Sequence, residues 1–254
     1  MNLTKEELIR LYWKEGKSLI QISRELGIKR PETIRQQMIK YGIPRRRLYI
    51  SNPKLNPSPS LAYIIGVYFG DGSIVVGGKR VSLIFRLECS QKEFVNSLAE
   101  ALRKINTKPK VWSHTRYMKK TNDHRTYWLC DAYSTKLCKF LKSLTVAKLR
   151  DLLKEREAIK EFVRGFYESE GSFGIYANSR VWKLKMSNIH KEILLLTREC
   201  CEKLGIKGWH IYEFKDKRNP KWSTIYDLVL YRKDEIRKFF SIIDPVIKNP
   251  FSKS

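Results

Sequence analysis

Residues 61 to 73 read LAYIIGVYFGDGS, an uncharged apolar run that ends on a carboxylate followed by glycine. Residues 160 to 172 read KEFVRGFYESEGS and repeat that design 99 positions later. Gly66 falls on Gly165, Tyr68 on Tyr167, Asp71 on Glu170, and Gly72 and Ser73 on Gly171 and Ser172. Each run has the length of a helix and stops at glycine, as helices commonly do. The flanking patterns echo at the same offset. Val81 to Ser90 and Val181 to Ser187 alternate as strands do, Arg86 aligns with Lys185, and Lys92-Glu93 aligns with Lys191-Glu192 at the start of a further helix. Val111 to His114 resembles Gly208 to His210, and Thr126 to Phe140 resembles Thr224 to Phe239. The chain from residue 60 therefore predicts two α-β-β-α-β-β-α halves, 60–147 and 148–254, with Lys148 to Glu161 leading into the second apolar helix. A period of about a hundred residues is a domain duplication and not a solenoid repeat. Antiparallel hairpins with helices on one face give an α+β class.

Ahead of the duplication, residues 1–44 predict three short helices. Thr4 with Glu7 three positions on makes a capping box, and Leu8, Leu11 and Tyr12 supply the apolar face behind it. Ser18 caps a second helix that ends at Gly27, and Pro31 opens a third that Gly42 stops. Helix, glycine turn, helix is the outline of a helix-turn-helix, whose last helix enters a major groove. Arg30, Thr33, Arg35, Gln36 and Lys40 are its candidate DNA-contacting residues, of types that meet phosphates and base edges. A small cap packed on the following domain is the alternative use of these helices. Residues 45–59 read as a linker with three prolines and with Arg45, Arg46 and Arg47 at the start, either a basic arm along a groove or a solvated charge run.

Charge sharpens the picture. Among 254 residues, 51 Lys and Arg face 26 Asp and Glu, a net charge of +25. Such an excess calls for a polyanion, and nucleic acid is the commonest. Five cysteines without CxxC spacing and four scattered histidines offer neither a disulfide frame nor a zinc site. No apolar stretch approaches the ~20 residues that span a bilayer, and no secretory signal opens the chain. An intracellular protein is expected, cytoplasmic if the source is prokaryotic or archaeal, with no membrane partner.

The chemistry sits in the repeated runs. Gly66 and Gly70, then Gly165 and Ser169, place small residues four apart on one helix face, so two such helices can pack closely and bring Asp71 beside Glu170. Acids at helix C-termini oppose the dipole by about 0.3–1 kcal/mol each, and adjacent carboxylates raise each other's pKa. A divalent cation removes both objections. Few carboxylates completed by water and phosphate suit Mg²⁺, with Mn²⁺ as a candidate substitute, and the carbonyls of Gly70 and Ser169 are further candidate ligands. Metal held beside a phosphodiester activates water and stabilises the leaving oxygen.

Residues 61–73 and 160–172 resemble the paired motifs of LAGLIDADG homing endonucleases of the single-chain type, and the duplication over about 60 to 250 resembles their architecture. The resemblance implies that the two motif helices form the interface of a pseudo-symmetric saddle whose sheets lie in the DNA major groove. It implies metal binding by Asp71 and Glu170, DNA contacts from Arg80, Arg86, Lys183 and Lys185, and catalytic helpers among Gln91, Lys92, Asn188 and Lys191. It departs from the family in carrying Phe69 two positions before the first acid, where an acid is common; Glu168 holds that position in the second half. The implied activity is Mg²⁺-dependent, site-specific cleavage of a long asymmetric double-stranded DNA target by a monomer, leaving short 3′ overhangs, as in an intron-encoded enzyme. Two alternatives stand beside it: a DNA-binding regulator that has lost catalysis, and an RNA maturase whose partner is intron RNA.

Overall fold

Local signals at the N-terminus become real caps. In the computed structural model, which describes residues 3–44, 52–77, 82–118, 121–176, 180–215 and 223–251, the Thr4 hydroxyl accepts from Glu7 N while the Glu7 carboxylate accepts from Thr4 N. Helix α1 (Lys5–Ile9) then continues as a π-helical turn, Arg10–Lys14, a widening that the apolar spacing does not announce. Ser18 and Gln21 make a second reciprocal box at the head of α2 (Leu19–Glu25), and Pro31 opens α3 (Pro31–Lys40). Gly27 and Gly42 end these helices at φ +63° and +66°, a conformation that side chains resist. Leu3, Leu8, Leu11, Tyr12, Ile22, Ile34, Met38 and Ile43 form this unit's own core. The chain divides at residue 50 into this unit and a larger one.

The larger unit contains the duplication. Its first half runs α4 (Pro59–Phe69), β1 (Ser73–Gly77), β2 (Ser82–Cys89), α5 (Lys92–Lys104), β3 (Lys110–Met118), β4 (Asp123–Tyr133) and α6 (Thr135–Lys142). After α7 (Val146–Leu152), the second half runs α8 (Arg156–Glu170), β5 (Gly171–Tyr176), β6 (Val181–Asn188), α9 (Lys191–Lys203), β7 (His210–Phe214), β8 (Ile225–Leu230) and α10 (Lys233–Ile243). Each half folds into an antiparallel four-stranded sheet, in the orders β1-β2-β4-β3 and β5-β6-β8-β7. The fold is α+β, two equivalent halves that follow a small helical unit in sequence. One segment differs from expectation: Lys148 to Glu161 is not a continuous approach to α8. Thr145 caps the separate α7, and Leu153 leaves helical geometry to enter the core before α8 begins.

Register assigns faces, because directly paired residues share a side of the sheet. Phe85 with Ala132, Leu87 with Cys130 and Met186 with Leu228 are buried pairs that face the helices. The opposite, outer faces carry Arg86, Glu88, His114 and Arg116 in one sheet and Lys183, Lys185, His210 and Tyr212 in the other.

What joins the halves is α4 against α8. Gly66 lies so close to the facing backbone that an added Cβ would overlap the Phe162 carbonyl oxygen and sit 2.8 Å from Phe166 N. A Cβ on Gly165 would overlap the Tyr63 carbonyl oxygen and sit 3.2 Å from Val67 N. The two glycines thus remove the side chains that would hold the helices apart. Around this seam pack Ile64, Val67, Phe162, Val163 and Phe166, all fully buried.

Candidate functional site

The same packing continues to the helix ends. A Cβ on Gly70 would meet Ser169 Cβ, and would sit 2.8 Å from Ser169 Oγ and 3.1 Å from Glu170 Cγ. Asp71 follows Gly70, so the acids stand at abutting tips. Asn188, at the end of β6, ties the tips together: its Nδ2 donates to Phe69 O at 2.9 Å and to Glu170 Oε1 at 3.3 Å. Its Oδ1 accepts from His190 N at 2.9 Å, which fixes the amide's orientation. The equivalent position of the first half is Cys89, whose Sγ donates to Gln91 O. The two acids therefore have unequal surroundings.

Electrostatics follow from that crowding. Burial, then the negative charge of Asp71, pushes the Glu170 carboxyl up to about 7 against the partial relief given by Lys248 and Asn188. Asp71 is open to solvent on one side and walled by protein on the other; this desolvation raises its carboxyl too, and Lys248 opposes the rise. Such a pair is poised to gain from a cation. Two carboxylates with neighbouring backbone carbonyls fit Mg²⁺, which takes few protein ligands and keeps water or phosphate oxygens. Among the described residues no group of three or more His, Cys, Asp and Glu could hold a metal, so the acid pair needs such completion from outside. A cleft of ≈ 550 Å³ opens beside Glu170, lined in part by Gly70, Gly72, Asn188 and His190.

Glu168, the acid two before Glu170, is fully buried and points away from this cleft's chemistry. Tyr63 Oη donates to its Oε2 across the seam, and Val246 N donates to its Oε1 at 2.7 Å. It joins α4, α8 and the chain after α10. In the first half Phe69 holds the corresponding position and packs against Tyr68.

Other sequence candidates fall elsewhere. Lys92 lies over the Trp128 ring at 4.6 Å and Lys191 over Tyr226 at 5.3 Å, equivalent stacks on the strands of the two halves. Gln91 is the residue before α5 and accepts from Ser90 Oγ. Arg86 is on the outer face, but its Nε and Nη2 grip Asp131 at 2.7 and 2.9 Å. Asp131 is 1% exposed and also accepts from Trp112 Nε1 at 3.1 Å. Lys185 is 3.5 Å from Asp227, which accepts from Ser187 Oγ, and Lys183 lies beside it on the same face. In the small unit Arg30, Thr33, Arg35, Gln36 and Lys40 are all exposed, and Arg35 pairs with Glu32 at 2.8 Å. Arg45, Arg46, Arg47 and Arg80 lie outside the described residues.

Lys248 is the residue that sequence reasoning missed. Its Nζ donates to Ser169 O at 2.8 Å, a carbonyl named above as a candidate ligand, and its own carbonyl accepts from Tyr167 Oη at 3.0 Å. It lies beyond the second half's last helix, where no periodicity or repeat partner marks it.

Comparison with known proteins agrees with this fold. The LAGLIDADG-like domain family matches the chain twice, over residues 58–160 and 157–244. The uncharacterised protein MJ0398 of Methanocaldococcus jannaschii is 32% identical over 245 residues, covering 89% of this chain and 82% of that one. The structure of the homing endonuclease I-DmoI in complex with DNA and Ca superposes with a TM-score of 0.51 at 18% identity, covering 78% of this chain and 95% of that one. The N-terminal LAGLIDADG domain of DUF199/WhiA superposes with a TM-score of 0.50 at 14% identity, over 77% and 83% of the two chains. At these identities the structural likenesses speak to fold alone. With both halves matched in sequence, the chain belongs to the LAGLIDADG-like domain family.

Proposed function

We propose that this protein is a site-specific double-strand DNA endonuclease that uses a divalent cation, Mg²⁺ or Mn²⁺. The observation that carries the reading is the pair of carboxylates set at abutting helix tips, whose mutual repulsion a divalent cation would relieve. Asp71 and Glu170 would hold the metal, with the carbonyls of Gly70 and Ser169 as further ligands. Bound there, the cation would lower the pKa of water and stabilise the leaving oxygen of the phosphodiester. The chain's own groups supply the rest. Asn188 orients Glu170, and Glu170 must release its proton before it can act as a ligand, so metal affinity rises through neutral pH. Lys183, Lys185 and His210 present positive and polar groups on an outer sheet face, suited to a phosphate backbone. Lys92 and Lys191 are equivalent candidates for phosphate contact, with Gln91 as a candidate helper in the first half. The helix-turn-helix reading of α2 and α3 adds Thr33, Gln36 and Lys40 as a second DNA contact. Because one chain carries both acids, a monomer suffices to cut both strands. Support for DNA as the partner comes from the +25 charge and from the DNA complex of I-DmoI; that protein was solved with Mn and with Ca.

The test is a randomised double-stranded DNA library incubated with Mg²⁺ or Mn²⁺, with the new ends sequenced. Native protein is expected to produce one class of paired ends, and Asp71→Asn or Glu170→Gln none. DNA that is bound but left intact in both metals refutes the nuclease; faster intron splicing without DNA cleavage assigns the site to RNA instead.

A further inference from the structure

After α10 the chain folds back on the second motif. Asp244, at φ 47°, reverses its direction, and the next residues meet α8 one after another. Val246 N binds Glu168, Lys248 O binds the Tyr167 hydroxyl, and Lys248 Nζ binds Ser169 O. Phe251 anchors the end of this strap against Phe173, Trp182 and Phe240, with ring centroids 5.5–6.3 Å apart. Three consecutive residues of α8, ending one short of Glu170, are thereby engaged by one short segment.

The strap's single ammonium is delivered to an unusual place. Ser169 O belongs to the last turn of α8, where unpaired carbonyls concentrate negative partial charge. Glu170 is the next residue, and Asp71 belongs to the abutting tip. A cation at that point meets the same electrostatic demand that a divalent ion would, and it takes a carbonyl that such an ion would use. The ammonium is tethered on both sides, by the Tyr167 hydrogen bond and by the Phe251 stack, so it remains at high local concentration.

We infer that Lys248 is a tethered cation that holds the acidic tip in the metal-free protein and must be displaced from Ser169 O when a divalent ion binds, so that it sets the metal affinity. The inference rests on the metal-site reading of Asp71 and Glu170. Removing the charge while keeping the side-chain volume, Lys248→Met, should tighten binding at least tenfold, since a unit charge near the ion at a protein-like dielectric is worth about a decade or more even after salt screening. Lys248→Arg, which keeps a cation on the strap, should stay within about threefold of native, because the charge near the site is unchanged.

Mn²⁺ titration followed by electron paramagnetic resonance of free Mn²⁺ reads this directly on the full chain. Circular dichroism melts of each variant in the absence of metal check that it is folded. Tighter Mn²⁺ binding by Lys248→Met than by native and Lys248→Arg supports the inference. Equal or weaker binding by Lys248→Met, with native binding abolished by Asp71→Asn and Glu170→Gln together, overturns the tethered cation while leaving the metal site standing. Binding that survives loss of both acids, or that neither native nor Lys248→Met shows, overturns both.

Discussion

Placing alanine at Gly66 sets two opposed effects against each other. In an isolated helix the change is favourable, by about 1 kcal/mol, because alanine is the better helix former. At this position the new methyl would overlap the Phe162 carbonyl oxygen and lie 2.8 Å from Phe166 N and 3.2 Å from Gly165 C. All three are backbone atoms of α8, so no side chain can swing aside, and the helices must separate. Overpacking of this kind costs about 1–3 kcal/mol and more where the obstacle is rigid. Taking the upper figure and subtracting the propensity gain leaves a net loss of about 2 kcal/mol. In a domain of this size that lowers Tm by roughly 4–8 °C. Gly174→Ala is the control, since a Cβ there meets nothing within 4 Å; its stability should stay within about 0.5 kcal/mol of native. Urea unfolding followed by circular dichroism measures both. If Gly66→Ala is neutral or stabilising, propensity has won, the helices are not in backbone contact, and the convergence of the acid-bearing tips loses its cause.

Further expectations concern charge and hydrogen bonding. Glu170 titrates near 7 in the fold and near about 4.3 unfolded, so between those values the folded chain holds a proton the unfolded chain has lost. Its contribution therefore falls as pH rises through that window, by about 1–2 kcal/mol after solvent screening, and Glu170→Gln should flatten the metal-free melting curve between pH 5 and 8. A curve that instead climbs with pH by the same amount, and ignores the substitution, would place the proton elsewhere. Arg86→Ala strands Asp131 in a buried position and should cost about 3 kcal/mol in denaturant melts, whereas a purely DNA-contacting arginine would leave stability unchanged. Tyr63→Phe should cost about 1–3 kcal/mol by leaving a Glu168 oxygen short of a donor, and a value near zero would mean the bond contributes nothing. Removing residues 1–50 should weaken DNA binding and reduce its salt slope if α3 meets phosphates; an unchanged slope excludes that contact.

The duplication was legible because its signals are local. Glycine spacing, the acid-glycine stops, the alternation of β2 and β6, the Thr4–Glu7 capping box and the Ser18 cap each span only a few residues. What stayed hidden depends on distant partners. Arg86 reads as an available cation until register brings Asp131 opposite it, 45 positions away. Asn188 could be named as a candidate, but its bond to Phe69 O requires the two halves to be assembled. Glu168 was placed by resemblance, and its role as a junction appears only when Tyr63 and Val246 are seen on either side of it. Lys248 has no counterpart in the first half, so a search by internal repeat passes over it. The break before α8 was obscured because helical residues continue on both sides of Leu153.

Backbone-to-backbone contact between α4 and α8 has a geometric outcome for the sheets beyond it. No rotamer lies in the seam at Gly66 and Gly165 to stretch or shrink, so the separation of the two outer faces is a fixed length. Residues on either face are free to drift without resetting that gauge. Any rod-like polymer laid across both sheets is thus measured by an unchanging ruler, with the paired acids at its midpoint mark.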